Sequence, residues 1–232
     1  LFIGEFAAIG AALAFSFTST MFTLAGRQYG AILTMRGSLP LAFLLLAISH
    51  WLVYGVGLPL YAEPERWFFL GLSGIAGFWL GSVAIMNAFI RIGPRLTLLI
   101  SSIGPILSAI LAWILLGEYL EGIAIVGIIL TVGGIALVVT ENGDKNGSKE
   151  HSTDAGAFTA GIVFAIIGAL FQAVSFILSK EGLSGHFTHE PFTVIGILPS
   201  EHDLYLSALN QLAPLSASVI RIAIGALAIW LA

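Results

Sequence analysis

Cysteine is absent from this chain, so neither a disulfide framework nor a thiolate metal site can hold it together. Charge is scarce as well. Only 9% of the residues are Asp, Glu, Lys or Arg, against about 25% in an ordinary soluble domain. Nine basic and thirteen acidic side chains leave a small acidic excess and no basic tract, so no nucleic-acid partner is expected. The apolar segments carry no polar face recurring at helical spacing, which excludes a soluble helical core. There is no Walker motif and no nucleophile–base set. ATP-driven transport and enzyme chemistry therefore find no local support, and no cofactor is implied.

What the sequence does contain is long uncharged stretches. Residues 6–26, 37–62, 67–90, 96–117, 122–140 and 155–179 carry no Asp, Glu, Lys or Arg. Each reaches or approaches the roughly 20 residues that cross hydrocarbon as a helix. A seventh apolar run begins near Ala213 and continues to Ala232. The pattern predicts an all-α, polytopic transmembrane helical bundle with spans at 2–24, 37–57, 66–87, 95–116, 121–140, 156–179 and 213–232. The chain starts at Leu1 and stops within the apolar "AIWLA", so it reads as a fragment of a longer protein, with about seven helices present. The polar stretch "ENGDKNGSKEHSTDAG" reads as a flexible joint dividing five spans from two.

The two parts share a pattern. One offset relates Phe15 to Phe171, Ser19 to Ser175 and Gly26 to Gly182, and it sets Ser16 against Gln172. A longer offset relates Arg36 to Arg221, which places an insertion within 183–212. Five spans separate the matching elements. An odd number turns the second copy upside down, and inverted repeats of this kind are an architecture of secondary transporters. A membrane receptor or structural protein without a transport cycle is the competing class.

Gly93-Pro94, then "LTLLISSIGPILSAILAWILLGEYL" and "GIAIVGIILTVGGIALVV", resemble the EamA repeat of the drug/metabolite transporter superfamily. The shared pattern is a Pro-broken fourth helix, a Gly-Glu at its end and a Gly-rich fifth helix. "GEFAAIGAALAFSFTSTMF" is similar to the family's first helix. The resemblance implies ten helices in two inverted five-helix repeats that move small organic solutes by alternating access. It assigns 1–140 to a first repeat, 141–155 to the joint and 156–232 to a truncated second repeat. It also implies a cavity formed chiefly by the first, third and fourth helices of each repeat.

Mid-span polarity combined with those cavity helices selects Ser16, Ser19, Phe78, Ser101, Gly104, Pro105 and Gln172 as the substrate cavity. Pro105 lacks an N–H and deprives the carbonyl near Ser101 of its donor, which the hydroxyls of Ser101, Ser102 and Ser108 can replace. The resulting bend fits either a transport path or tight packing. Asn87 fits either a cavity residue or a helix-end cap. Arg36 and Arg221 form a basic pair with two readings. They are an anion-attracting vestibule, or interface residues whose charge snorkels to the surface. Glu118 reads as a boundary residue at a tight turn. His186, His189, Glu190, His202 and Asp203 match no compact ligand spacing, so no metal site is expected. Gly71, Gly74, Gly77 and Gly81 give the third helix a close-packing stripe. Gly127, Gly133 and Gly134 suit a static contact of the fifth helix, one use of which is a homodimer interface. The expected partners are thus membrane lipid, a small-molecule substrate and a second copy, in a multi-pass protein of the plasma (inner) membrane. The positive-inside rule puts the N-terminus outside. The family resemblance puts it in the cytoplasm, with 141–155 external, and the resemblance is followed here.

Overall fold

The computed structural model describes residues 3–116, 122–146, 155–184 and 212–232. The uncharged runs are helical, as they must be where no water is available to backbone groups. In chain order the elements are α1 (Ile3–Tyr29), α2 (Ala31–Tyr54), α3 (Pro64–Gly74), a π-helical segment (Ile75–Gly81) and α4 (Ser82–Ser101). These are followed by α5 (Gly104–Leu116), α6 (Gly122–Asn146), α7 (Ala155–Ser184) and α8 (Pro214–Leu231). Among the described residues, five stretches are long and apolar enough to cross a membrane: Ile9–Tyr29, Ala31–Tyr54, Pro64–Ser101, Gly156–Leu183 and Pro214–Leu231. Gly104–Ile114 of α5 and Ile125–Ile135 within the 25-residue α6 are further apolar stretches. The chain is therefore an integral, multi-pass, all-α bundle, with about five membrane-spanning helices among the described residues.

Glycine and proline set the ends. Gly30 (φ 83°) separates α1 from α2, and Gly55 (φ 73°) closes α2 by returning its N–H to the Trp51 carbonyl at 2.8 Å. Pro64 and Pro214 open α3 and α8 in the first turn, where a missing N–H is harmless. The stretch from Pro64 to Ser101 is helical throughout except at Gly93, whose φ of 76° produces a kink. A loop over 87–95 was expected; the backbone instead stays helical and turns at that single glycine. The expected fourth helix, 95–116, is two pieces, because Ser102 and Ile103 form a turn ahead of Pro105. Residues 141–146, assigned to the flexible joint, continue α6 as helix. Residues 147–154 of that joint, Glu118 and residues 185–211 of the insertion lie outside the described residues.

α7 is the central element. Ala165, Ala169, Ala173 and Ile177 recur every fourth residue as its buried stripe, and it packs against α3, the π segment, α4 and α5. A second apolar cluster ties α2, α4 and α8 together through Met35, Leu39, Met86, Phe89, Ile222 and Ile229. The outer surface is apolar too: Leu13, Leu45 and Leu130 are exposed, as side chains facing lipid are. Pro40 lies inside α2 and removes the donor for the Arg36 carbonyl. The Trp230 indole N–H of α8 replaces it at 3.1 Å.

Small residues let α3 approach α8. A Cβ at Gly74 would collide with the Arg221 backbone carbonyl, whereas one at Gly104 would meet nothing closer than the Ala169 carbonyl at 3.9 Å. Gly74→Ala is accordingly expected to destabilise the full chain by about 1–3 kcal/mol through overpacking. Gly104→Ala should leave stability near the parent value. Thermal unfolding of both variants in detergent checks the contrast.

Candidate functional site

One arginine ties two helix ends together. Arg66, near the start of α3, donates from Nη1 to the Leu183 carbonyl at 3.0 Å and to the Gly182 carbonyl at 3.4 Å. It thereby joins the start of α3 to the end of α7, where a cation also suits the helix dipole. Its own charge is paired with Glu63 at 2.5 Å. From that common end, Ser73 lies about 14 Å along α3, and Ser175 lies about 14 Å back along α7, at 1.5 Å per residue. Both positions are near half of a hydrocarbon core about 30 Å thick.

At that depth Ser73 and Ser175 are fully buried and bonded reciprocally. Ser73 Oγ donates to the Ser175 carbonyl and Ser175 Oγ to the Ser73 carbonyl, each at 2.8 Å. Arg221 of α8 adds a donation from Nη2 to Ser175 Oγ at 3.0 Å. Its guanidinium stands over the Phe78 ring, 5.3 Å from the centroid, an attraction of about 0.5–2 kcal/mol according to desolvation. Arg221 Nε is buried with no hydrogen-bond partner among the described residues. Gly77 gives the site its closeness, since a Cβ there would overlap Ser175 Oγ and lie 3.7 Å from Gln172 Oε1. The surrounding turn is the π segment, a helix form often found at functional sites. Phe78, Gln172 and Arg221 of the expected site residues thus come together, with Ser73 and Ser175 between them.

The other expected residues are distributed around this locus. Gly104 faces α7 near Ala169. Pro105 is exposed at the start of α5, and Ser101 Oγ is buried without a partner among the described residues. Ser102 and Ser108 hydroxyls donate to the Leu99 and Gly104 carbonyls around the break. On α1, Ser16 is exposed while Ser19 is buried and donates to the Ser16 carbonyl at 2.8 Å. Asn87 donates to the Val83 carbonyl and accepts from Arg91. Arg36 donates from Nε to the Ile229 carbonyl at 3.0 Å, near the end of α8. It therefore sits eight positions beyond Arg221, about 12 Å along the helix.

A further polar cluster lies where α2 ends and α8 begins. His50 is fully buried and donates from Nδ1 to the Val56 carbonyl at 2.6 Å. Its Nε2 is 2.9 Å from Ser216 Oγ, which is also 2.9 Å from the Tyr61 hydroxyl. Beside it is an open recess of about 610 Å³ lined by Trp51, Gly55, Val56, Leu58, Leu60 and Tyr61. Sequence reasoning missed His50, Arg66 and Ser73. The signal for Ser73 was its place beside Gly74 on the small-residue stripe. His50 and Arg66 were flagged only by being polar near the ends of apolar runs.

Ser175→Ala takes an acceptor from Arg221 and a donor from Ser73, so it is expected to lower stability by about 1–3 kcal/mol. Thr131 is exposed and bonds only within its own helix, so Thr131→Ala should change stability by no more than about 0.5 kcal/mol. A double-mutant cycle on Ser73 and Ser175 reads their coupling directly.

Residues 2–140 match the EamA-like transporter family. No curated protein and no solved structure matches the chain.

Proposed function

The chain belongs to the EamA-like transporter family of the drug/metabolite transporter superfamily, and on that premise we propose that it carries a small organic solute across a membrane by alternating access. The family is one of transporters rather than enzymes. The observation that carries the reading is the polar locus of Ser73, Ser175, Gln172 and Arg221 at mid-depth, between helices held together by glycine contacts. Polar groups at that depth are expensive, and by default they mark a solute path. The substrate cavity is bordered by Ser16, Ser19, Phe78, Ser101, Gly104, Pro105 and Gln172, with Arg221 at its polar centre rather than in a vestibule and Arg36 charging its approach.

The architecture behind it is a pair of inverted five-helix repeats. The first is 1–140, the joint 141–155 and the second spans 156–232, with an insertion at 183–212. Helix direction supports this reading. The end of α1 lies at Met86 and Ile90 of α4, whereas α7 ends at Arg66 at the start of α3. α1 and α7 consequently run in opposite senses. Gly127, Gly133 and Gly134 of α6 face open space among the described residues, which supports α6 as the contact between two copies. The membrane is the plasma (inner) membrane, and the N-terminus is cytoplasmic.

Two measurements test this. Full-length protein in sealed vesicles should show gradient-dependent uptake for at least one member of a broad metabolite panel, and Gln172→Leu should reduce that flux while inserting normally. No flux from any member would sink the transport reading, and parental flux in the variant would remove Gln172 from the path. A single cysteine placed at Gly147 should react with an impermeant thiol reagent in intact cells. Reaction only after the membrane is opened would reverse the orientation.

A further inference from the structure

The charge on Arg221 has no counterion among the described residues. A guanidinium offers five N–H donors, and here one of them, on Nη2, reaches Ser175 Oγ. Nε is buried and unsatisfied. The serines supply an oxygen but no charge, because each hydroxyl already donates to the other's carbonyl. The Phe78 face attracts the cation without neutralising it. The other arginines near the bundle are accommodated differently. Arg66 is paired with Glu63, Arg36 meets the carbonyl end of α8, and Arg91 is exposed and bonded to Asn87. An uncompensated cation at this depth is costly, and structures keep one where something anionic meets it.

We propose that Arg221 is the docking group for a carboxylate on the transported solute, so that the substrate class is a small organic monocarboxylate. This rests on the transport reading above and assigns the chemistry of the same site. A guanidinium fork matches the two oxygens of a carboxylate. One positive charge balances one carboxylate; a phosphate dianion would leave a net negative charge in the bundle. Phe78, stacked on the same guanidinium, supplies an apolar surface for the rest of the molecule.

The test is thermal unfolding of the purified full-length protein in detergent with benzoate and butyrate, each compared with its neutral amide, benzamide or butyramide. At least one acid is expected to raise the unfolding temperature more than its amide. Arg221→Gln should abolish that difference. Arg221→Lys keeps the charge but loses the fork, so it should retain the preference for acid over amide with apparent affinity weakened about tenfold. Equal effects of acid and amide on the parent protein overturn the assignment, as does a preference that survives in Arg221→Gln. If the Gln variant does not fold, the Lys variant decides, and unchanged affinity there overturns it. Flux separates the two readings. Arg221-dependent acid binding with no flux of any solute would leave the site and sink transport. Flux without acid preference would leave transport and sink the site.

Discussion

Exclusion of water from the hydrocarbon is the constraint on which the rest of the structure depends. Every backbone group inside it needs a partner from the protein, and the helix breaks show how these are found. Pro40 frees the Arg36 carbonyl, and Trp230 of α8 fills it. The last carbonyls of α7 are met by Arg66 of α3. Around the break before Pro105, nearby serine hydroxyls donate. The serines bond the Leu99 and Gly104 carbonyls, not the Ser101 carbonyl that Pro105 deprives. In the other two cases the partner comes from a different helix, so satisfying a backbone group also fixes how two helices pack.

The same constraint makes the centre of the bundle distinctive. Reciprocal bonds between Ser73 and Ser175 join α3 to α7, and Arg221 draws α8 onto the pair. Such closeness depends on Gly74 and Gly77, at which a methyl group would overlap Arg221 or Ser175. The contacts are directional and few, and they flank a π turn rather than a regular helix. A junction of that kind is strong enough to set a register. It is also small enough to be exchanged for another set of contacts, as the proposed alternating access requires.

Much of this was legible in the residues. Uncharged runs gave the helices because charge is what hydrocarbon rejects first. The glycine stripe of the third helix announced a close contact, and α7 and α8 supply it. The match of Ser19 with Ser175 singled out a residue that turns out to be fully buried. Boundaries were less legible. Gly93 and Ser102–Ile103 redistribute the third and fourth helices, because a lone glycine at positive φ does the work expected of a loop. α6 runs on through Glu141 to Asn146, where local helical bonding overrides a polar composition. Partners far apart in sequence were the least legible. Ser73 and His50 each look ordinary in their own helix, and their roles depend on Ser175 and Ser216, which only the tertiary fold brings near.

The central claim is that the solute path passes the junction of the π segment, α7 and α8. Its most direct test uses the absence of native cysteine in this sequence. A single cysteine at Gln172 in the full-length protein would be exposed to an impermeant thiol reagent from each face of the membrane in turn. Reaction from both faces is expected if, as proposed, the site opens alternately to each. Reaction from neither face, in a protein shown to transport, would place the path elsewhere and contradict it.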